Sequence, residues 1–238
     1  MKKRNILLLY VFLLVSIMDI LFVANGEADL RYFSKPFIII SLWGYFITSS
    51  TAIRGTILRN AISAALLFSW AGDILLLFPN LFLYGLGAFL MAHLCYIFAF
   101  KIAQINPFAI GKVNFIKLFL YNLPIYFVAA FVFFLINPGL GTMKIPVIIY
   151  LIVIVLMVTV ARERFGKTNA VSFWQVFLGG IFFLISDGIL ALNMFYQPFP
   201  ESGVLVMGTY IFAQFLIIRG LMAHGQEYKT AKKQKDLP

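Results

Sequence analysis

Charge is scarce in this sequence: only 12% of its 238 residues are Asp, Glu, Lys or Arg, and nine of those are acidic. Ordinary globular domains carry about 25% charged and roughly 45–50% apolar residues. A soluble domain of this size has no interior large enough for the 62% that is hydrophobic here. Cysteine occurs once, as Cys95 inside an apolar run, which excludes a disulfide framework and a cysteine metal centre. Histidine occurs twice, as His93 and His224, whereas catalytic zinc takes about three protein ligands. Asp73 and Asp187 with His93 are the one mixed ligand set left, so no metal and no cofactor is expected. Alternating apolar and polar residues are lacking too, which speaks against a β-barrel.

What the chain does have is long apolar runs. About 20 apolar residues cross the hydrocarbon of a bilayer, and eight runs reach roughly that length: 5–24, 34–52, 57–78, 82–101, 115–136, 145–161, 171–195 and 203–222. The breaks between them hold turn chemistry, as in Asn25-Gly26-Glu27, Pro79-Asn80, Asn106-Pro107, Asn137-Pro138-Gly139, Arg162–Lys167 and Gln197-Pro198. In lipid every backbone polar group must be satisfied within the chain, so such runs become helices. The expectation is an all-α polytopic membrane bundle of about eight transmembrane helices. Residues 1–223 form a single transmembrane domain, and 224–238 a basic cytoplasmic tail. The first run also has the basic start and small-residue end of a signal peptide, but Asp19 late in the apolar stretch argues against cleavage.

The net charge of +10 suggests nucleic acid only until its distribution is read. With the N-terminus inside, Lys2, Lys3, Arg4, Arg54, Arg59, Lys101, Lys112, Lys117, Arg162, Arg164, Lys167, Arg219, Lys229, Lys232, Lys233 and Lys235 all fall on the cytoplasmic side, 16 of the 19 basic residues. Arg31, Lys35 and Lys144 fall outside. This is the bias that orients membrane proteins, and it places both termini in the cytoplasm. No eukaryotic targeting signal is recognisable, which favours a bacterial plasma membrane.

Ionisable groups at membrane depth are costly and mark functional sites by default. Asp73 lies about five residues from the outer end of the third run and Asp187 about eight from that of the seventh. At about 1.5 Å per residue they sit roughly 7 and 12 Å below the outer boundary. Asp19, Lys35, His93, Tyr150, Tyr210 and Gln214 fall in the same outer half or near the middle. A polar pocket open to the outer leaflet follows. Asp19 and Lys35 equally suit outer headgroups, His93 a packed core face with Phe89, Tyr96 and Phe100, and the two tyrosines a membrane interface.

The stretch Leu67–Leu76 echoes Phe182–Leu190, each placing an aspartate just before an outer turn. The echo points to two parallel four-helix repeats about an axis normal to the membrane, which would set Asp73 against Asp187. Two facing carboxyls in low dielectric cannot both ionise cheaply, which leaves an acid beside a carboxylate. Such a pair can protonate a substrate and then stabilise a cation or activate water. A proton-coupled carrier would want the same pair, so this chemistry alone does not choose.

Phe68-Ser69-Trp70-Ala71-Gly72-Asp73-Ile74-Leu75-Leu76, followed by Gly85–Tyr96, resembles the signature of the YhhN-like lysoplasmalogenase family. Lys35-Pro36, Ile185-Ser186-Asp187 and Tyr210-Ile211-Phe212-Ala213-Gln214 extend the likeness over nearly the whole chain. The resemblance implies a multi-pass ether hydrolase acting on lysoplasmalogens, single-chain glycerophospholipids with a vinyl ether at the first carbon. Its products are a fatty aldehyde and glycerophosphoethanolamine or glycerophosphocholine. The family's polar positions fall on Lys35, Asp73, His93, Tyr150, Asp187 and Tyr210, with no departure among them.

On that reading Asp73, Asp187 and His93 are the catalytic candidates, and Lys35, Tyr150, Tyr210 and Gln214 the substrate-binding ones. The partners are lysophospholipid and membrane lipid rather than nucleic acid. Two alternatives stand beside it: a small proton-coupled transporter or lipid-binding protein, and a hydrolase of the same fold with another single-chain lipid. A serine hydrolase is disfavoured, because Ser69 and Ser186 stand in no G-x-S-x-G elbow.

Overall fold

The structure, a computed structural model, describes residues 3–105 and 114–235. The expected break at Asn106-Pro107 and the basic residues Lys2 and Lys112 lie outside the described residues. Eight α-helices follow one another: α1 (Lys3–Ala24), α2 (Ala28–Ser49), α3 (Ile57–Leu75), α4 (Phe82–Ile102), α5 (Phe115–Ile136), α6 (Lys144–Glu163), α7 (Ala170–Phe195) and α8 (Ser202–Lys235). Among the described residues there is no strand. Six of the helices, all but α2 and α3, are long and apolar enough to cross a membrane by length and composition. The other two are more polar: α2 carries Asp29, Arg31 and Lys35, and α3 carries Arg59, Asn60 and Asp73.

The helices begin where local chemistry lets them. Thr56, Asn114 and Asn169 each accept a hydrogen bond from a backbone N–H three residues on, capping α3, α5 and α7. Helix α2 starts at Ala28, six residues before the expected run, directly after the Asn25–Glu27 turn. Helix α8 runs unbroken through position 224, where the tail was expected to start, and His224 is buried there against Thr168.

The bundle buries a set of polar side chains and leaves large apolar ones on its surface. Asp19, Ser69, Asp73, His93, Ser172, Ser186 and Gln214 are buried, while Leu7, Phe33, Phe127, Phe134 and Ile145 are exposed. Between the polar groups, Ile38, Leu42, Phe46, Ile62, Leu66, Phe100 and Phe183 close the core. The tightest helix pairs are α7 with α8, α3 with α4 and α1 with α2. Small residues permit that approach. A side chain on Gly72 of α3 would lie 2.6 Å from the Phe89 ring of α4, and one on Gly179 of α7 would lie 2.9 Å from the Ala213 carbonyl of α8.

Candidate active site

Asp73 occupies the last turn of α3 and is almost fully buried. Tyr210 of α8 donates a 2.7 Å hydrogen bond to its Oδ2. Lys35 Nζ of α2 stands 3.8 Å from its Oδ1. Trp70, one turn before Asp73, donates through Nε1 to the Pro36 carbonyl at 3.0 Å, tying α3 to α2 beside that ion pair. The pairing is what makes burial of both charges tolerable, since an unpaired carboxylate or ammonium at this depth would be far more costly.

Beneath Tyr210 the network continues across the bundle. Gln214, one turn deeper on α8, donates to Ser69 Oγ at 3.0 Å and accepts a 2.5 Å hydrogen bond from the Tyr96 hydroxyl of α4. Its amide also reaches the Tyr210 oxygen at 3.4 Å. Ser69, Tyr96 and Gln214 are all fully buried, and none of the three lines the cavity that Tyr210 faces.

Asp187 sits on α7 with a different partner. Tyr150 of α6 donates to its Oδ2 at 2.6 Å, and among the described residues no cation stands within salt-bridge distance of it. Each aspartate is thus held by one tyrosine, but only Asp73 also has a lysine.

Both aspartates line one cavity of about 460 Å³. Lys35, Tyr150 and Tyr210 share its wall, and everything else is close to apolar: Leu86 and Phe89 of α4, Val128, Ala129 and Val132 of α5, Leu184, Ile185 and Gly188 of α7. A volume of this order suits one small or slender ligand. Its chemistry is amphipathic, with two carboxyls, two phenols and one ammonium set in a hydrocarbon-lined space.

Two of the expected residues lie off that wall. Gln214 supports Tyr210 from below. His93 is completely buried, with its ring edge-on to Tyr150 at 5.2 Å and to Phe183 at 4.7 Å, and neither ring nitrogen has a hydrogen-bond partner among the described residues. It stands behind Tyr150 as seen from the cavity. Asp19, open to a headgroup role on sequence, is instead fully buried; it accepts a 2.6 Å hydrogen bond from Ser34 and lies 3.5 Å from Arg31 Nε. Among the described residues no three of His, Cys, Asp and Glu converge as a metal site would require.

Sequence reasoning missed the α5 wall. From Pro124 to Ile136 that helix faces the cavity with apolar residues alone, and nothing in an apolar run distinguishes a cavity wall from a lipid-facing surface. Tyr96 was legible only as part of a packed face; its hydroxyl, 118 residues from Gln214 in sequence, gave no signal.

Comparison with known proteins adds a separate line of evidence. The model of the YhhN family matches residues 30–221. Lysoplasmalogenase TMEM86B of Sus scrofa is 33% identical over 161 residues, covering 66% of this chain and 61% of its own length. The human protein of that name is 30% identical over 161 residues, with the same coverage of each chain. A lysoplasmalogenase of Mycobacterium tuberculosis (strain CDC 1551 / Oshkosh) is 29% identical over 166 residues, covering 68% of this chain and 60% of its own. The chain spans about three fifths of the length of the curated relatives it matches. No solved structure matches.

Proposed function

This chain belongs to the YhhN family, and from that premise we propose that it is a membrane-embedded ether hydrolase that cleaves the vinyl ether of lysoplasmalogens. The observation that carries the reading is the cavity itself: a buried Asp73 and a half-buried Asp187, unequally paired, in a space otherwise lined with hydrocarbon. A single-chain lipid matches that space in polarity, with a reacting ether for the carboxyls and a chain for the apolar wall. The relatives named lysoplasmalogenase support the substrate class.

Vinyl ethers break after protonation of the outer vinyl carbon, which turns the inner carbon and its oxygen into an oxocarbenium ion. Asp187 is the proton donor in this proposal, because it has no cation to share a negative charge with, whereas Asp73 has Lys35 at 3.8 Å. Tyr150 occupies Oδ2 of Asp187 and so leaves Oδ1 to carry the proton toward the cavity. Asp73 remains the carboxylate. It stabilises the cation and takes a proton from the water that adds to the oxocarbenium carbon, giving a hemiacetal. In the collapse of the hemiacetal Asp73 gives its proton to the departing glycerol oxygen and Asp187 takes one from the hemiacetal hydroxyl, which releases aldehyde and alcohol, restores both carboxyls and consumes one water. Positioning and charge stabilisation of this kind commonly supply several orders of magnitude in rate.

The distribution of basic residues supports an aspartate layer in the outer half of an eight-span bundle with both termini cytoplasmic. That arrangement is part of the same proposal, as is the parallel repeat that relates Asp73 on α3 to Asp187 on α7.

The test is aldehyde release from a vinyl-ether lysophospholipid by purified protein in detergent, beside an ester lysophospholipid control. Release that survives chelator and is lost in both Asp73→Asn and Asp187→Asn supports the metal-free two-carboxylate route. Full turnover in either folded variant removes that aspartate from it, and no aldehyde from any vinyl ether removes the substrate class.

A further inference from the structure

A vinyl carbon in contact with the Asp187 carboxyl carries its hydrocarbon chain past the neighbouring wall of α7, and the next residue on that helix is Gly188. Gly188 lines the cavity. A Cβ placed on it would meet no atom within 4 Å. Glycine inside a helix costs about 1 kcal/mol relative to alanine, and on α7 the Gly179 position shows the usual return, a backbone packed too close for any side chain. Gly188 brings no two helices together. The space it leaves open belongs to the cavity.

The α5 wall of the same cavity also carries a small residue. Ala129 of α5 is a small, buried side chain on the cavity. Around these two positions the lining residues Val128 and Ile185 are 57% and 41% exposed, so the wall between α5 and α7 is open rather than sealed. Helix α5 packs against its neighbours more loosely than the α7–α8 or α3–α4 pairs do.

We infer that Gly188, with Ala129 on the α5 wall of the same cavity, is the determinant of chain acceptance: the aliphatic chain of a single-chain ether lipid lies across α7 at Gly188 and leaves toward the lipid between α5 and α7. The inference rests on the ether-hydrolase reading for the identity of the chain. Bulk at Gly188 or Ala129 then excludes a chain without touching either carboxyl, phenol or the lysine.

Two measurements on Gly188→Leu, Gly188→Ala and Ala129→Leu test it. The first is aldehyde release from a long-chain 1-alkenyl and from a 1-propenyl glycerophosphocholine. Loss of a hydrophobic fit of this size changes kcat/KM by roughly tenfold or more. Gly188→Leu and Ala129→Leu are expected to show that loss on the long chain, Gly188→Ala a smaller one, and the propenyl substrate little change in any of them. The second is binding of an unreactive saturated 1-alkyl lysophospholipid, which needs no turnover. Binding by the parent chain that is weakened tenfold in Gly188→Leu upholds the inference even where no aldehyde forms, a result that would count against the hydrolase reading alone. Equal losses on long and short substrates, or undiminished binding by a folded Gly188→Leu protein, would overturn it.

Discussion

The Tyr150 hydroxyl donates a 2.6 Å hydrogen bond to Asp187 Oδ2, joining α6 to α7 at the cavity wall. The same relationship recurs between Tyr210 and Asp73, yet the two pairs are not equivalent, because Lys35 stands beside Asp73 alone.

Removing the Tyr150 hydroxyl is therefore expected to matter more for turnover than removing that of Tyr210. Asp187 becomes a carboxylate only as its proton leaves, so this bond gains strength in the transition state; a hydrogen bond to a charged partner is worth about 1.5–3 kcal/mol, or roughly ten- to a hundredfold in rate at 1.4 kcal/mol per decade. Tyr150→Phe should lose kcat in that range with little change in KM, since the phenol orients the donor rather than binding the lipid. Tyr210→Phe should lose less, because Lys35 still holds Asp73. Steady-state aldehyde release separates the two, and equal losses would argue against an unequal pair of carboxyls.

The Lys35–Asp73 pair makes a prediction about stability. Breaking a buried ion pair from one side costs about 3–5 kcal/mol, whereas replacing both members by uncharged groups is often close to neutral. Lys35→Met and Asp73→Asn should each lower the thermal midpoint in detergent, and the double variant should recover much of the loss while remaining inactive. A double variant as unstable as the sum of the two singles would mean that the 3.8 Å contact contributes no coupling.

How much of this was legible beforehand depends on how each feature is encoded. Helices α4 to α7 match the expected runs closely because a membrane demands about 20 apolar residues and turns lie between them. The early start of α2 was not legible, since Asp29, Arg31 and Lys35 make its first turns look like a loop. Lys35, Asp73, Tyr150, Asp187 and Tyr210 could be picked out because a polar residue stands out in an apolar run. Whether each faces the cavity could not: His93 is as conspicuous as Asp187, and the structure turns it behind Tyr150. The α5 wall is the opposite case, decisive in space and silent in sequence.

At the other end of the bundle Arg164 is fully buried with no carboxylate within salt-bridge distance among the described residues. Its guanidinium donates to the Ala103 carbonyl at 3.2 Å, to the Ser172 carbonyl at 3.2 Å and to Ser172 Oγ at 2.7 Å, joining the ends of α4 and α6 to the start of α7. Burial pulls this guanidinium down to about 9, still charged at neutral pH. Arg164→Lys keeps the charge and loses the planar fork. It should cost a few kcal/mol as three acceptors are left wanting, seen as a lower thermal midpoint with kcat unchanged in the protein that remains folded. A variant as stable as the parent would show that water replaces the fork.

His93 gives the sharpest separation between chemistry and support. Its ring lies 5.2 Å from that of Tyr150 and 4.7 Å from that of Phe183, with both nitrogens unpartnered among the described residues. An imidazole that moved protons in the reaction would need a hydrogen-bonded route to Asp187, and the ring contacts offer packing instead. His93→Phe fills the same space with an aromatic edge and should retain turnover within about threefold. His93→Ala opens a cavity behind Tyr150, where truncating a large core side chain costs about 3–5 kcal/mol, and it should lower both stability and kcat as Tyr150 loses its backing. The conservative variant decides the matter, because packing survives in His93→Phe and proton transfer does not. Loss of turnover in a stable His93→Phe protein, restored by added imidazole, would return His93 to the reaction.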